Sequence, residues 1–413
     1  MKLEIHRDAL SLGLEALGMY SQEAPPVVTR VVFTKADVHG REFVKSLCRE
    51  TGLAVREDAA GNTFARWIGE NPELEPVGTG SHVDAIPNAG RFDGTVGVLG
   101  GLEAIRALQR AGHRPRRSIE LVIFTSEEPT RFGIGCLGSR LLSGLLDPVA
   151  ADQFKDRDGI SLSQARRAAG FEGALAAVRL PHGYYSAFVE MHIEQGPILE
   201  QHNVPIGVVT AIAAPAGLKI AIVGEGGHAG AVLMPDRHDA FLAAAEIALA
   251  VETSAKSSGS PDTVGTVGVC EVFPSAVNSI PSQVRMEIDV RDIDEARRDA
   301  VLQNIELACE EVAHRRGVQA TLELVNADSP AYCAPHVVDA LIQACETQGL
   351  AFERMISRAY HDSLFMSRIA PTAMLFIPCR GGVSHRPDEY ASPEAIAQGT
   401  LVLAEALARL SSQ

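Results

Sequence analysis

The chain predicts an α/β fold interrupted by a smaller α+β domain, on three observations. Short apolar runs alternate with amphipathic helical stretches along most of its length, the middle switches to a βαββαβ order, and chemically distinctive residues fall on both sides of that middle segment. The expectation is a large α/β domain, a mixed sheet flanked by helices, formed by residues 1–212 and 327–413, with a ferredoxin-like α+β domain inserted at 213–326.

Residues 77–81, 119–124, 187–191 and 374–377 are among the short apolar runs and read as strands, each followed closely by an acidic or imidazole side chain. Val96, Leu99, Leu102, Ile105 and Leu108 recur at the spacing of a helix that covers a sheet. Open sheets of this kind bind ligands in the crevice beyond their strand ends. In the middle segment, 218–223 alternates like a half-exposed strand, an Ala-rich helix spans 236–251, and strands follow at 264–273 and 284–290. A helix at 294–315 and a strand at 319–324 complete the order, and 254–260 reads as a flexible loop. No internal repeat or low-complexity stretch is evident.

With 413 residues the chain exceeds what one core usually serves, and its 46% hydrophobic content is ample for two. A formal charge of −15 and a pI near 5.4 argue against nucleic acid or an anionic membrane, since binding to phosphates needs clustered Lys and Arg. A small-molecule substrate is the better expectation. The first eight residues lack the apolar stretch of a secretory signal, and no later segment is apolar enough to span a bilayer. Seven cysteines without Cys-x-x-Cys spacing read as reduced thiols of a cytoplasmic protein. Cys379, near His385, is either a zinc ligand or a buried strand cysteine, and the second reading suits its residue type better.

The chemistry lies in His82 and Asp84 of Gly80-Ser81-His82-Val83-Asp84, Asp93 of Phe92-Asp93-Gly94, the pair Glu127-Glu128, His192, and His385 of Gly382-Val383-Ser384-His385. Imidazole and carboxylate donors together suit zinc or manganese, and one carboxylate can bridge two ions of a hydrolytic site. On a strand Asp84 would point the same way as His82, so its carboxylate would accept the second imidazole N–H and fix the tautomer; otherwise it is a turn residue. Asp93, in a Gly-flanked turn entering a helix, is the natural bridging ligand. Glu127 and Glu128 are adjacent and therefore diverge, so that one can hold metal while the other acts as a base on water. Such a pair is ordinarily a solvated surface, but here it follows an apolar strand and has histidines to match. Arg291 ends a strand, and its planar fork suits a substrate carboxylate, the alternative being a salt bridge to Asp289 or Asp292.

Together with Gly227-His228-Ala229-Gly230, His192-Ile193-Glu194-Gln195-Gly196 and His361-Asp362-Ser363, these motifs resemble the binuclear-metal amidohydrolase family of N-carbamoyl-L-amino acid hydrolases and allantoate amidohydrolases over essentially the full chain. The runs 124–134 and 356–363 are more similar to its ureidoglycolate amidohydrolase branch, because carbamoylases usually carry Asp where this chain has Ser126 and a small residue where it has Tyr360. The resemblance implies two divalent metals per subunit, one held by His82, Asp93 and His192, the other by Asp93, Glu128 and His385. Manganese is favoured, with zinc or nickel as alternatives. It further implies Glu127 as base, Asp84 in a supporting catalytic role, and His228 as a polarising group that acts in the partner subunit of a homodimer. Gln195, Asn278, Arg291, Ala359 and Tyr360 would bind substrate. His228 on its own reads only as a loop histidine, and Tyr360 either narrows the pocket or packs as ordinary core. The implied reaction is hydrolysis of the ureido C–N bond of ureidoglycolate to glyoxylate, ammonia and carbon dioxide in purine breakdown. An N-carbamoyl amino acid or allantoate is the nearer alternative, a peptidase a weaker one, and a non-catalytic ligand-binding module a remote one.

Overall fold

Four parallel strands, Thr372–Ile377, Ala187–Ile193, Val77–His82 and Ile119–Phe124, stand side by side at the centre of a nine-stranded mixed sheet. All their residues are buried, which is why they read as continuous apolar runs instead of alternating ones. The computed structural model describes residues 2–413. Antiparallel Thr63–Trp67 and Ala54–Glu57 extend the sheet on one side. On the other side Ile206–Ile212 runs antiparallel and pairs in turn with Ala331–Tyr332 and Phe352–Ser357. Several of these flanking strands mix Arg or Glu with apolar residues, so no apolar run marks them in the sequence.

Helices Thr95–Arg110 and Pro393–Ser411 pack on each other and on the central strands. The second begins where Ser392 accepts a hydrogen bond from the Ala395 N–H, with Pro393 in the first turn, a position whose N–H has no partner in the helix anyway. The first lies so close to the sheet that a Cβ on Gly97 would fall 2.3 Å from the Met191 carbonyl oxygen, so that only glycine fits.

The chain divides into two compact units, one of Met1–Thr210, Tyr332–Ser357 and His361–Gln413, the other of Ala211–Ala331 with Arg358–Tyr360. The smaller unit is a four-stranded antiparallel sheet in the order Val264–Phe273, Gln283–Asp292, Ala214–Val223, Gln319–Ala327. Leu218, Ile220 and Ile222 pack there with Ala243, Ile247 and Val251 of helix Ala240–Lys256 and with Val301 and Ile305 of helix Glu295–Arg316, a ferredoxin-like arrangement. The first helix starts at Ala240, not at 236, because Asp239 caps the N–H groups of Phe241 and Leu242. It also runs to Lys256, so the loop expected at 254–260 begins only at Ser257; within it Ser258 Oγ donates to Thr263 Oγ1 at 2.7 Å. Arg358–Tyr360 joins this unit through a 2.6 Å bond from Arg358 to Asp262 and the Arg291 guanidinium 5.3 Å from the Tyr360 ring centre.

Candidate metal centre

Three of the four parallel strands deliver a polar residue at or just past their carboxyl ends: His82, Glu127-Glu128 and His192. Asp93 enters from the turn before helix Thr95–Arg110, and His385 from the loop after Thr372–Ile377. Asp93 lies at the middle. Its Oδ1 is 3.1 Å from His192 Nε2 and 3.5 Å from His82 Nε2; its Oδ2 is 3.3 Å from His385 Nε2, which in turn is 3.2 Å from Glu128 Oε1. Ligand-type atoms thus form two groups, His82–Asp93–His192 and Asp93–Glu128–His385, that share one carboxylate. Gly94 is required beside them: its φ is +66°, and a Cβ would sit 2.4 Å from His82 Nε2.

The imidazoles are oriented by the backbone. His82 Nδ1 donates to the Asp84 carbonyl at 3.0 Å and His192 Nδ1 to the Ile193 carbonyl at 2.9 Å, which leaves Nε2 of both rings facing Asp93. The Asp84 carboxylate does not do what its spacing predicts. The strand ends at His82, so the same-face rule lapses, and Asp84 Oδ1 lies 3.8 Å from His82 Nδ1. Its two oxygens instead accept the N–H groups of Glu127 at 3.3 Å and Glu128 at 3.1 Å, and so hold the glutamate turn in place.

Burial alone would raise Asp93, yet hydrogen bonds with His192, His385 and His82 hold it well below the usual carboxylate range. Burial would lower His82, but the charge of Glu127 and the bond with Asp93 raise it well above the usual imidazole value, while bonds to Asp93 and Glu128 push His385 up to about 11. Burial pushes the Glu127 carboxyl far up; the His82 charge opposes this and that of Glu128 adds to it. Burial would also lower His192, but its bond with Asp93 raises it, so the clustered carboxylates draw positive charge into this pocket. The separations of 3.1–3.5 Å also suit a cation, being close to the roughly 3.4 Å edge of a tetrahedron with centre-to-vertex distances of about 2.1 Å. Both groups therefore fit a divalent ion by donor type and by spacing. The side chain of His385 is 46% exposed, so the centre opens to solvent on that side.

Other residues here carry no sequence signal. Glu389 Oε1 accepts the N–H groups of Phe92 at 2.8 Å and Asp93 at 3.1 Å, and Ser384 Oγ donates to Asp93 Oδ2 at 2.6 Å. A lone Glu in a loop has nothing to mark it, and Ser384 is marked only as the neighbour of His385. Glu190, His192 and His361 form a third group of ligand-type atoms, but Glu190 already accepts from Ser81 Oγ at 2.8 Å and Ser363 Oγ at 2.7 Å, so the group is a hydrogen-bonded brace. Ser126, Cys136, Gln195 and His385 all take left-handed backbone conformations, a concentration of strain typical of functional sites.

Of the expected substrate residues, Gln195 stands at the centre: its Nε2 donates to Asp93 Oδ2 at 2.7 Å, and its Oε1 is buried without a hydrogen-bond partner. The others belong to the smaller unit. There His228 pairs with Ser279 on a short strand and the Ala229 N–H donates to the Asn278 carbonyl at 2.9 Å, so His228 and Asn278 adjoin. Arg291 is bonded to Asp289 at 2.7 Å and lies over Tyr360, which is half-buried and next to Ala359. Cys379 is a buried thiol whose Sγ is 3.8 Å from the Gly196 carbonyl oxygen, outside both donor groups.

Paired donor groups sharing an aspartate at the strand ends of an α/β sheet define a hydrolase of the metal-dependent class. A profile of Peptidase family M20/M25/M40 matches residues 78–409, and the chain belongs to that family. It is 52% identical over 416 residues to the ureidoglycolate hydrolase of Arabidopsis thaliana, across 99% of this chain and 87% of that one. It is 37% identical over 407 residues to an N-carbamoyl-L-amino-acid amidohydrolase of Pseudomonas sp. (strain NS671), across 98% of each. The crystal structure of AtUAH in complex with (S)-hydroxyglycine matches with a TM-score of 0.92 at 51% identity, covering 100% of this chain and 99% of that one, and AtUAH in complex with glyoxylate matches equally. The resemblance read from the motifs is thereby met. Among the described residues no helix is long and apolar enough to cross a membrane.

Proposed function

We propose that the chain is a metal-dependent amidohydrolase that hydrolyses ureidoglycolate to glyoxylate, ammonia and carbon dioxide. The observation that carries the chemistry is the pair of donor groups sharing Asp93 with a further carboxylate, Glu127, beside them. The choice of substrate is supported by the full-length similarity to a ureidoglycolate hydrolase and by a relative crystallised with (S)-hydroxyglycine and with glyoxylate.

His82, Asp93 and His192 would hold one ion and Asp93, Glu128 and His385 a second, manganese by preference over zinc or nickel given the carboxylate-rich donors. Bound there, such ions would polarise the ureido carbonyl and acidify a water. Glu127 accepts the proton of the attacking water and returns it to the departing ammonia. The carbamate left behind loses carbon dioxide, and the resulting hydroxyglycine breaks down to glyoxylate and a second ammonia. Gln195 Oε1, buried and unsatisfied, accepts a substrate N–H. The substrate carboxylate falls to Arg291 and Asn278, and its hydroxyl or ureido group to Tyr360 with the Ala359 backbone alongside. Residues 213–326 form a lid that also joins two chains into a homodimer, within which His228 acts in the partner's centre. Seven unpaired thiols suit a reducing, cytoplasmic compartment.

The test is ammonia release by metal-stripped enzyme reconstituted with manganese, zinc or nickel, assayed against ureidoglycolate, allantoate and N-carbamoyl amino acids. Preference for ureidoglycolate is expected. Preference for either of the others would reassign the substrate while leaving the chemistry intact.

A further inference from the structure

We propose that Cys136 is the positioning residue of the general base: its thiol fixes the Glu127 carboxylate in the orientation that proton transfer requires. The proposal deepens the functional reading and rests on Glu127 being the base.

The loop between Thr125 and Gly138 closes on itself. Cys136 N–H donates to the Glu127 carbonyl at 2.7 Å, Leu137 N–H to that of Ser126 at 2.9 Å, and Gly138 N–H to that of Thr125 at 2.8 Å. Cys136 is therefore set directly opposite Glu127 by the main chain, in a left-handed conformation (φ 55°, ψ 35°) that side chains with a Cβ seldom adopt. Its Sγ lies 3.4 Å from Glu127 Oε1, while Glu127 Oε2 is 3.7 Å from His82 Nε2. The two oxygens of the carboxylate thus have different tasks, one tethered to the thiol and one turned toward the metal ligands. Cys136 is fully buried, so its contribution is not surface reactivity.

A weak donor is what this position needs. Glu127 hangs on three rotatable bonds, and an untethered carboxylate would spread over several orientations, few of them productive. A strong donor such as a guanidinium would restrain it but would also stabilise the anion and lower its basicity. A thiol S–H restrains with little such cost.

The experiment measures kcat, KM and metal content for Cys136→Ala, Cys136→Ser, Glu127→Gln and the double variant Glu127→Gln/Cys136→Ala. Cys136→Ala is expected to lose about tenfold in kcat with KM and bound metal unchanged, and Cys136→Ser, which keeps a donor, to recover to within about threefold of the parent. In the Glu127→Gln background the alanine should cost nothing further, because its effect passes through Glu127. Should Cys136→Ala fail to fold, Cys136→Gly, which suits the left-handed backbone, takes its place. The proposal is overturned if the alanine variant matches the parent, or if it slows Glu127→Gln by the same factor as it slows the parent. Full turnover by Glu127→Gln would instead remove the base assignment itself, and this proposal with it.

Discussion

The larger unit and the smaller unit treat their functional side chains in opposite ways. In the larger one His82, Asp93, Glu127, Glu128 and His192 are buried; His82 and His192 are tied to backbone carbonyls, Asp93 to Gln195 and Ser384, and Glu127 to Cys136, while His385 alone of the donors is exposed. In the smaller one His228 and Asn278 are exposed and Arg291 and Tyr360 half-buried. The Arg291–Asp289 pair, with Asp289 41% exposed, is of a kind worth about 0–1 kcal/mol, so it holds the guanidinium only weakly. The contrast teaches that most of the charged donors are held in a dry setting that strengthens their mutual interactions, His385 being the exception, whereas the candidate substrate groups of the smaller unit stay hydrated and exchangeable.

The sharpest way to break this contrast is within the larger unit. Glu127→Gln should keep its metal and lose about 10³-fold or more in kcat, whereas His82→Ala should lose metal itself, as element analysis of the purified variants would report. If both variants lost metal equally, Glu127 would be a ligand and the division of labour between the adjacent glutamates would be gone. In the smaller unit the expected effect is on selectivity. Tyr360→Ala should move the ratio of kcat/KM for ureidoglycolate over N-carbamoyl amino acids by about tenfold toward the latter, at unchanged metal content. An unaltered ratio would make Tyr360 ordinary packing.

The smallest effect is on stability, and it has opposite signs in the two units. Burial pushes Asp58, in the larger unit, up to about 6 against the pull of its bonds with Asn62 and Ala60. Its contribution is therefore fully present below the ordinary Asp value near 4 and is lost as pH rises through about 6. Asp292, in the smaller unit, would be raised by burial but is held below its usual value by Arg297 and Thr263. Its contribution is present at higher pH and is lost on acidification below the ordinary Asp value. Melting curves of Asp58→Asn between pH 4 and 6 should lose a pH dependence of about 2 °C or more, and those of Asp292→Asn should lose sensitivity only in the acid limb. Parallel curves for parent and variants would show that neither carboxyl is perturbed in the fold.

What could be read from the chain follows from what leaves a local trace. Buried parallel strands appear as apolar runs, and strand 264–273 coincides with the observed Val264–Phe273. The site's imidazoles and carboxylates stand in short motifs at strand ends. Asp84 was legible as a participant but not in its role, because the carbonyl that meets His82 lies past the end of the strand, where spacing no longer dictates direction. Glu389 and Cys136 left no trace, and Ser384 stood in a motif only as the neighbour of His385. Each stands in a loop without a signature of its own role, which comes from a partner brought close only by the fold.

Asp93 donates its N–H to Glu389 and accepts from the Ser384 hydroxyl, partners 296 and 291 residues further along the chain. A chain that stopped before Ser384 would lack Ser384, His385 and Glu389 together, and with them the Asp93–Glu128–His385 donor group. The other group, His82, Asp93 and His192, draws its donors from the first half of the chain, so the two halves of the centre differ in how much polypeptide each requires.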